Sequence, residues 1–274
     1  MNIDEALTVA ANELTNVTQR PRFESEILMS YYLKKDRVWI HINSQKKIKN
    51  LQEFFKLIKR RKEYEPIEYI IGRVSFYDIE LEVGPGVLIA RPETELLVDE
   101  AAKIIQKYNL KTVCEIGIGS GAISIMLAKK FKDLQIFATD ISETALNYAK
   151  KNISHFCLED RIELYKTSLM DNIDKEVDII VSNPPYVCKD YDLPKSVLFE
   201  PKSALIGGDR GDEVICKIIL TAKEKRVPHL VCEFGYDQRE SILNFCKKLN
   251  LNEPIFYKDL ANLDRGFYLC LKGK

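Results

Sequence analysis

Residues 183–186 read Asn-Pro-Pro-Tyr and directly follow the apolar run Val177-Asp178-Ile179-Ile180-Val181-Ser182. The run has the composition of a buried parallel strand. Two consecutive prolines cannot continue a strand, because neither has an N–H and each fixes φ. The tetrapeptide is therefore expected to be a stiff loop at the carboxyl end of a central strand, the edge at which open α/β sheets bind ligands. It offers the side-chain amide of Asn183, the carbonyls of Pro184 and Pro185 as acceptors, and the aromatic face of Tyr186. That group suits the gripping of a planar nitrogen that donates hydrogen bonds. An ordinary proline-rich turn has a similar composition, so the partners upstream decide.

Upstream, the run Thr112–Ile116 ends in Glu115-Ile116-Gly117-Ile118-Gly119-Ser120-Gly121-Ala122, with a helical pattern after it. Gly117, Gly119 and Ala122 satisfy a dinucleotide fingerprint, and glycines at such a turn let the backbone approach a ligand closely. Asp140 ends the next strand-like run, where a carboxylate can accept from both hydroxyls of a ribose; it could equally cap the helix that follows it. A ribose is common to nicotinamide dinucleotides and S-adenosylmethionine. Glu115 separates the two, since a carboxylate just before the glycines repels a pyrophosphate and tolerates a sulfonium or ammonium group. Gly117, Ile118, Gly119, Ser120, Gly121, Asp140 and Asn183 are thus the candidate contacts for S-adenosylmethionine, and methyl transfer is favoured over hydride transfer.

Elements able to position these residues are legible from periodicity. Strand-like runs cover Thr112–Ile116, Gln135–Thr139, Ile162–Tyr165, Val177–Ser182, His229–Phe234, Pro254–Tyr257 and Phe267–Leu271, with helical runs at Ala122–Phe131, Glu143–Ser154, Asp212–Lys225 and Gln238–Leu249. Such alternation implies a parallel sheet covered on both faces. The last two strands have only Asn262–Gly266 near their junction, so the final strand should run antiparallel to its neighbour. Residues 1 to about 70 read as helices, the first following an Asp4 cap, the second following Pro21, and the third spanning Ile48 to Lys62. Lys59-Arg60-Arg61-Lys62 closes the third; a solvated helix face is the favoured account, a docking surface for an acidic partner or RNA the sharper one. Between 74 and 89 a β-hairpin is expected, turning at Gly84-Pro85-Gly86. A helix beginning at Pro92 should bury Leu97, Ala101, Ile104 and Tyr108.

The chain has 274 residues, 46% hydrophobic and 30% charged, with 41 basic and 41 acidic side chains. Zero net charge argues against a protein that coats nucleic acid. No apolar stretch approaches a membrane span, and Met1-Asn2-Ile3-Asp4-Glu5 does not open a signal peptide. Seven cysteines without a CxxC pair and three scattered histidines suggest reduced thiols in a cytoplasmic protein and no metal site.

Together these residues resemble the HemK/PrmC family of class I S-adenosylmethionine-dependent methyltransferases. The resemblance rests on Glu65–Gly72, Phe76-Tyr77, Leu88-Ile89-Ala90-Arg91-Pro92-Glu93-Thr94-Glu95, Glu115–Ser124, Asn183–Tyr186, Glu200-Pro201 with Ala204-Leu205, and Asp259-Leu260 with Asp264-Arg265. It implies a Rossmann-like seven-stranded sheet with an antiparallel last strand, preceded by a small helical domain and a β-hairpin linker. The implied domains are residues 1–72 (helical, substrate-binding), 73–90 (hairpin) and 91–274 (methyltransferase). The implied activity is methylation of the glutamine amide in the Gly-Gly-Gln motif of class 1 peptide-chain release factors, with Asn183, Pro184, Pro185 and Tyr186 as catalytic and substrate-binding residues. Two positions depart from the family pattern. Ala90 stands where proline is usual. Ser168 replaces an acid expected at the adenine, leaving Leu169 as the apolar wall of that pocket. Other readings are an N6-adenine nucleic-acid methyltransferase, which shares the tetrapeptide, and a non-catalytic binding subunit that keeps the fold.

Overall fold

A computed structural model describes residues 1–271. By packing, the chain divides into two compact units: residues 1–73 with 193–199, and residues 74–192 with 200–274.

The first unit is helical. α1 (Ile3–Leu14) starts two residues earlier than an Asp4 cap would place it. Asn2, not Asp4, is the N-cap: its side chain accepts from Glu5 N at 2.8 Å while Glu5 Oε2 accepts from Asn2 N at 2.8 Å. This reciprocal capping box satisfies two otherwise orphaned donors. α2 (Pro21–Leu33) places Pro21 in its first turn, where a missing N–H costs nothing. α3 (Arg37–Ile42) is too short to show a period and was not anticipated. α4 (Gln52–Lys62) begins four residues later than the apolar pattern, and α5 (Ile67–Ile71) stops at Gly72, whose φ of +77° suits a helix end. Ile3, Leu7, Leu14, Leu28, Met29, Phe54 and Ile58 form the core. The basic run at the end of α4 is not simply solvated. Arg61 is buried and pairs with Glu24 at 2.6 Å, Arg60 pairs with Glu65 at 2.6 Å, and Lys62 pairs with Glu13. The helix brings these three cations to carboxylates distant in sequence or just beyond its end, while Lys59 is exposed.

The second unit opens with a hairpin, β1 (Arg73–Phe76) and β2 (Ile79–Glu82). Its turn is Tyr77-Asp78, not Gly84-Pro85-Gly86. Tyr77 takes φ +51°, a conformation costly for an aromatic residue, and is held there by tertiary bonds. Its N–H donates to Glu95 Oε1 at 2.7 Å, and its hydroxyl reaches Glu95 O and Asp99 Oδ1. Those partners lie on α6 (Thr94–Tyr108), which buries Leu97, Ala101 and Ile104. Tyr108, placed in the same stripe by period, is instead 44% exposed and stacks on His229 at 4.6 Å.

From there β3 (Thr112–Ile116), α7 (Ala122–Lys130), β4 (Gln135–Asp140), α8 (Glu143–His155), β5 (Ile162–Lys166), β6 (Ile179–Ser182), a short pair β7 (Val187–Cys188) and β8 (Ile206–Gly208), α9 (Glu213–Glu224), β9 (His229–Glu233), α10 (Arg239–Lys248), β10 (Ile255–Lys258) and β11 (Asp264–Cys270) complete the unit. The seven-stranded sheet has the order β10-β11-β9-β6-β3-β4-β5. The five strands from β9 to β5 are parallel, and β11 runs antiparallel to both of its neighbours. Register decides what meets at the carboxyl edge. Glu115 pairs with Val181, and Ser182 pairs with Cys232. The glycine loop, Asn183 and Glu233 therefore emerge side by side. Among the described residues no helix is long and apolar enough to cross a membrane, and no cluster of potential metal ligands is found.

Candidate functional site

The loop after β3 folds back over β4. Gly117 and Ile118 both donate to Thr139 O, at 2.8 and 2.9 Å, and Gly119 N donates to Asp140 Oδ2 at 3.1 Å. Gly117 (φ +79°) and Gly119 (φ +56°) take conformations that disfavour side chains, and a Cβ at either would meet nothing within 4 Å. Their missing side chains leave an open space. Gly121 (φ +90°) has a different reason to be glycine: it starts α7, and a Cβ there would press on Ile125 at 3.2 Å and approach Ala149.

The space over Gly117 and Gly119 belongs to a cleft of about 380 Å3. Of the residues singled out from sequence, Gly117, Gly119, Asp140, Ser168, Leu169, Asn183 and Pro185 line it, with Leu88, Ile141 and Ala204 among their neighbours. A second cavity of about 40 Å3 lies where Glu115, Ile118, Ser120 and Thr94 meet Gly117, Gly119 and Asn183. Gly117, Gly119, Leu88 and Asn183 line both. Gly121, Pro184 and Tyr186 line neither.

Asp140 is not the cap of α8; Ser142 is, accepting from Ala145 N at 3.3 Å. Asp140 ties the loops together, taking Gly119 N on one oxygen and Ser142 N (2.9 Å) on the other. Burial raises its pKa against the lowering effect of these N–H donors. Glu115 is 1% exposed and accepts from the Ser124 N–H at 2.9 Å and from its hydroxyl, both on Oε2. Oε1 is buried with no hydrogen-bond partner. Burial pushes this carboxyl up to about 8. A buried acid with one free oxygen beside a small cavity is suited to a cationic group.

The loop after β6 is built for stiffness. Ser182 Oγ donates to Ile116 O at 2.7 Å, locking the two strand ends together. The Tyr186 carbonyl accepts from Gln238 Nε2 at 2.7 Å. Asn183 Nδ2 donates to Thr94 Oγ1 at 2.9 Å, and the Tyr186 hydroxyl donates to Glu233 Oε1 at 3.1 Å. Burial raises the Tyr186 phenol well above its ordinary range, which rules it out as a base near neutrality.

Two further contributors escaped sequence reasoning. Thr94 was treated as part of a signature, with no chemistry attached. Glu233 lies inside the strand-like run His229–Phe234, which drew no chemistry from the sequence. Their signal was an acid closing an otherwise apolar run in a strand next to the Asn183 strand, which needs the sheet order to be read. Glu200 has a quieter part. It is 4% exposed, accepts from Ile89 N at 3.0 Å and pairs with Arg91, clasping the segment that carries Leu88 into the cleft.

Comparison with known proteins agrees with this architecture. A model of the PrmC N-terminal domain matches residues 5–72, and a model of the methyltransferase small domain matches residues 92–198. Among solved structures, the ribosomal protein L11 methylase of Lactobacillus delbrueckii subsp. bulgaricus superposes with a TM-score of 0.53 at 20% identity, over 73% of this chain and 90% of that one. The catalytic domain of human METTL16 gives 0.58 at 16% identity, over 71% and 77%. At such identities these two speak for the fold. The release factor glutamine methyltransferase of Dictyoglomus turgidum is 40% identical over 210 residues, 74% of this chain and 73% of its own. That of Clostridium acetobutylicum is 35% identical over 285 aligned positions, covering 100% of this chain and 99% of its own. With identity of that order running from end to end, this chain belongs to the PrmC/HemK family of release factor glutamine methyltransferases.

Proposed function

We propose that this chain transfers the methyl group of S-adenosylmethionine to the side-chain amide nitrogen of the glutamine in the Gly-Gly-Gln motif of class 1 release factors. The observation that carries the proposal is the state of Asn183. Its amide nitrogen is committed to Thr94, and among the described residues no group donates to its oxygen, which lies on a residue shared by both cavities.

The residues present fit S-adenosylmethionine. Leu169 and Ile141 offer apolar surface to an adenine, Asp140 a carboxylate to ribose hydroxyls, Gly117 and Gly119 a space that side chains would fill, and Glu115 an orphaned buried oxygen to an ammonium group. When bound, S-adenosylmethionine supplies an electrophilic methyl carbon. Everything else falls to the protein. A carboxamide nitrogen is a poor nucleophile, and uncoupling it fully from its carbonyl costs ~18–20 kcal/mol. Hydrogen bonds at ~1–3 kcal/mol each cannot offset that. Fixing the nitrogen in line with its target contributes ~7–11 kcal/mol and so must carry a large share. Asn183 Oδ1 accepts one N–H of the substrate glutamine, the Pro184 carbonyl accepts the other, and Tyr186 packs against the amide plane. Pro184 and Pro185 keep those acceptors from relaxing. No base is needed before attack: the nitrogen becomes strongly acidic only once it has been methylated, and the extra proton then leaves to solvent as the neutral thioether departs.

Residues 1–72 take the part of the substrate-binding domain, with a linker at 73–90, whose hairpin strands lie at 73–76 and 79–82, leading into the methyltransferase region at 91–274. Support for a docking role comes from a groove in the helical unit lined by Tyr31, Lys34, Lys35, Asp36, Glu53, Lys56 and Arg60; Lys56 pairs with Glu53 and Arg60 with Glu65, so Lys34 and Lys35 are the cations it offers to an acidic segment of the release factor. Release factors work on ribosomes, so the enzyme acts in the cytoplasm.

The test is to offer methyl-labelled S-adenosylmethionine together with a release factor, the same factor with its Gly-Gly-Gln glutamine replaced, and DNA. Label is expected on the first alone. Label on the glutamine-free factor or on DNA would sink the proposal.

A further inference from the structure

Asn183 and Tyr186 are tied, by separate hydrogen bonds, to a single buried carboxylate. Asn183 Nδ2 donates to Thr94 Oγ1 at 2.9 Å, Thr94 Oγ1 donates to Glu233 Oε2 at 2.9 Å, and the Tyr186 hydroxyl donates to Glu233 Oε1 at 3.1 Å. Glu233 is 1% exposed and Thr94 is 3% exposed, so water does not compete for these groups. The chemistry assigned above uses Thr94 only as the partner of the Asn183 nitrogen and gives Glu233 no part.

A threonine hydroxyl carries one proton. With that proton donated in the hydrogen bond to Glu233, Oγ1 can only accept from Asn183, and an acceptor can face only the NH2 end of its amide. The Asn183 oxygen is thereby turned the other way. This matters because the two ends of a carboxamide are nearly equal in size, so packing alone does not choose between them and hydrogen bonds must. The wrong choice would present two donors to a substrate amide that itself donates. A carboxylate, which only accepts, makes the choice unique and also anchors the phenol at the far end of the tetrapeptide.

We propose that Glu233, acting through Thr94 and Tyr186, is the positioning residue that sets the polarity of the Asn183 amide and so makes the tetrapeptide an acceptor of substrate N–H groups. The inference rests on the glutamine-methylation reading and extends it to residues outside the binding loop.

Several groups face Glu233. Thr94 and Glu93 come from the start of α6, Tyr186 from the catalytic loop, Arg265 from β11 and Tyr257 from β10, and Cys232 precedes it. Arg265 is held by Asp259 at 2.8 Å, which gives a purpose to the Asp259 and Asp264-Arg265 motif. Burial pushes the Glu233 carboxyl up and the two hydroxyls and Arg265 pull it down, leaving it at about 7. Once protonated, one of its oxygens becomes a donor and the direction of the Thr94 hydroxyl is no longer dictated. Turnover should therefore fall as pH drops through about 7.

The experiment compares wild type, Thr94→Val, Thr94→Ser and Glu233→Gln, with a release factor as acceptor, across about pH 5.5 to 8.5. Calorimetric titration with S-adenosylmethionine reports folding and cofactor binding for each. Thr94→Val should lower kcat by ~10–100-fold, the equivalent of one or two mispaired hydrogen bonds, with cofactor affinity within about threefold of wild type. Thr94→Ser should restore most of kcat, and Glu233→Gln should lose both turnover and the acid limb of the kcat profile. Wild-type kcat in Thr94→Val, or an unchanged acid limb in Glu233→Gln, overturns the relay while leaving glutamine methylation standing. A wild type that labels no release factor overturns both.

Discussion

The loops after β3 and β6 leave the sheet side by side, yet they use their backbones in opposite ways. The β3 loop makes room. Two of its glycines have positive φ and nothing but space where a side chain would be. The β6 loop removes freedom. It has two prolines, a carbonyl held by Gln238, an amide held by Thr94 and a phenol held by Glu233. A ligand bound largely through shape and ribose hydroxyls needs a cradle. A weak nucleophile that must be aimed needs rigid acceptors of known polarity. The comparison also divides the two loops by where their information lies. What the β3 loop does follows from its own residues, whereas the β6 loop takes its orientation from partners 89 and 47 positions away.

Substitutions should separate the two loops cleanly. The largest effect is expected at Asn183. Asn183→Ala should lower turnover by ~10³-fold or more, the scale seen when a preorganised polar group at a reacting centre is lost, while cofactor affinity by calorimetry stays within about threefold. A cofactor-binding defect of the same size as the turnover defect would erase the division of labour. Gly119→Val should show the converse. Its side chain would fill the cleft, and a β-branched residue at φ +56° carries ~1–3 kcal/mol of backbone strain. The strain lowers stability, while the side chain occupying the cleft should weaken cofactor affinity by ~10–100-fold, the equivalent of ~1.4–2.7 kcal/mol of lost contact, and turnover should largely return at saturating cofactor.

Asp140→Ala should weaken cofactor binding to a similar or smaller degree, through lost ribose contacts and a loosened Gly119 N–H. An unchanged dissociation constant would count against both roles. The smallest effect is one of pH. Glu115 keeps its proton up to about 8 in the folded chain, against ~4.3 when unfolded. Its contribution to stability is therefore fully present at low pH and is lost as pH rises through about 8. Glu115→Gln removes that titration, so its melting temperature should decline less than that of wild type between about pH 6 and 9. A parallel decline in the two proteins would show that Glu115 does not hold its proton in the cofactor-free state.

Hydropathy period and turn chemistry were sufficient for every strand of the large sheet, for the helices that alternate with them, and for the antiparallel final strand, because each is specified by residues a few positions apart. The glycine loop, Asp140 and Asn183 could be placed at one edge for the same reason: each sits at the carboxyl end of a run that had to be a parallel strand. Local signals failed where an interaction across the fold outweighed them. Gly84-Pro85-Gly86 has stronger turn chemistry than Tyr77-Asp78, but Glu95 and Asp99 hold Tyr77 in a left-handed conformation that its own sequence disfavours. Asn2 caps α1 because Glu5 reciprocates, a pairing that the acidic Asp4 obscured.

Local order thus sufficed for the elements and for the residues that bring the glycine loop, Asp140 and Asn183 to the cleft, since short-range periodicity and steric limits on φ decide both. Which end of the Asn183 amide points outward was settled only in three dimensions. That choice depends on the hydrogen bond that Thr94 donates to Glu233, and the two meet only after β9 has paired beside β6 and α6 has packed against them.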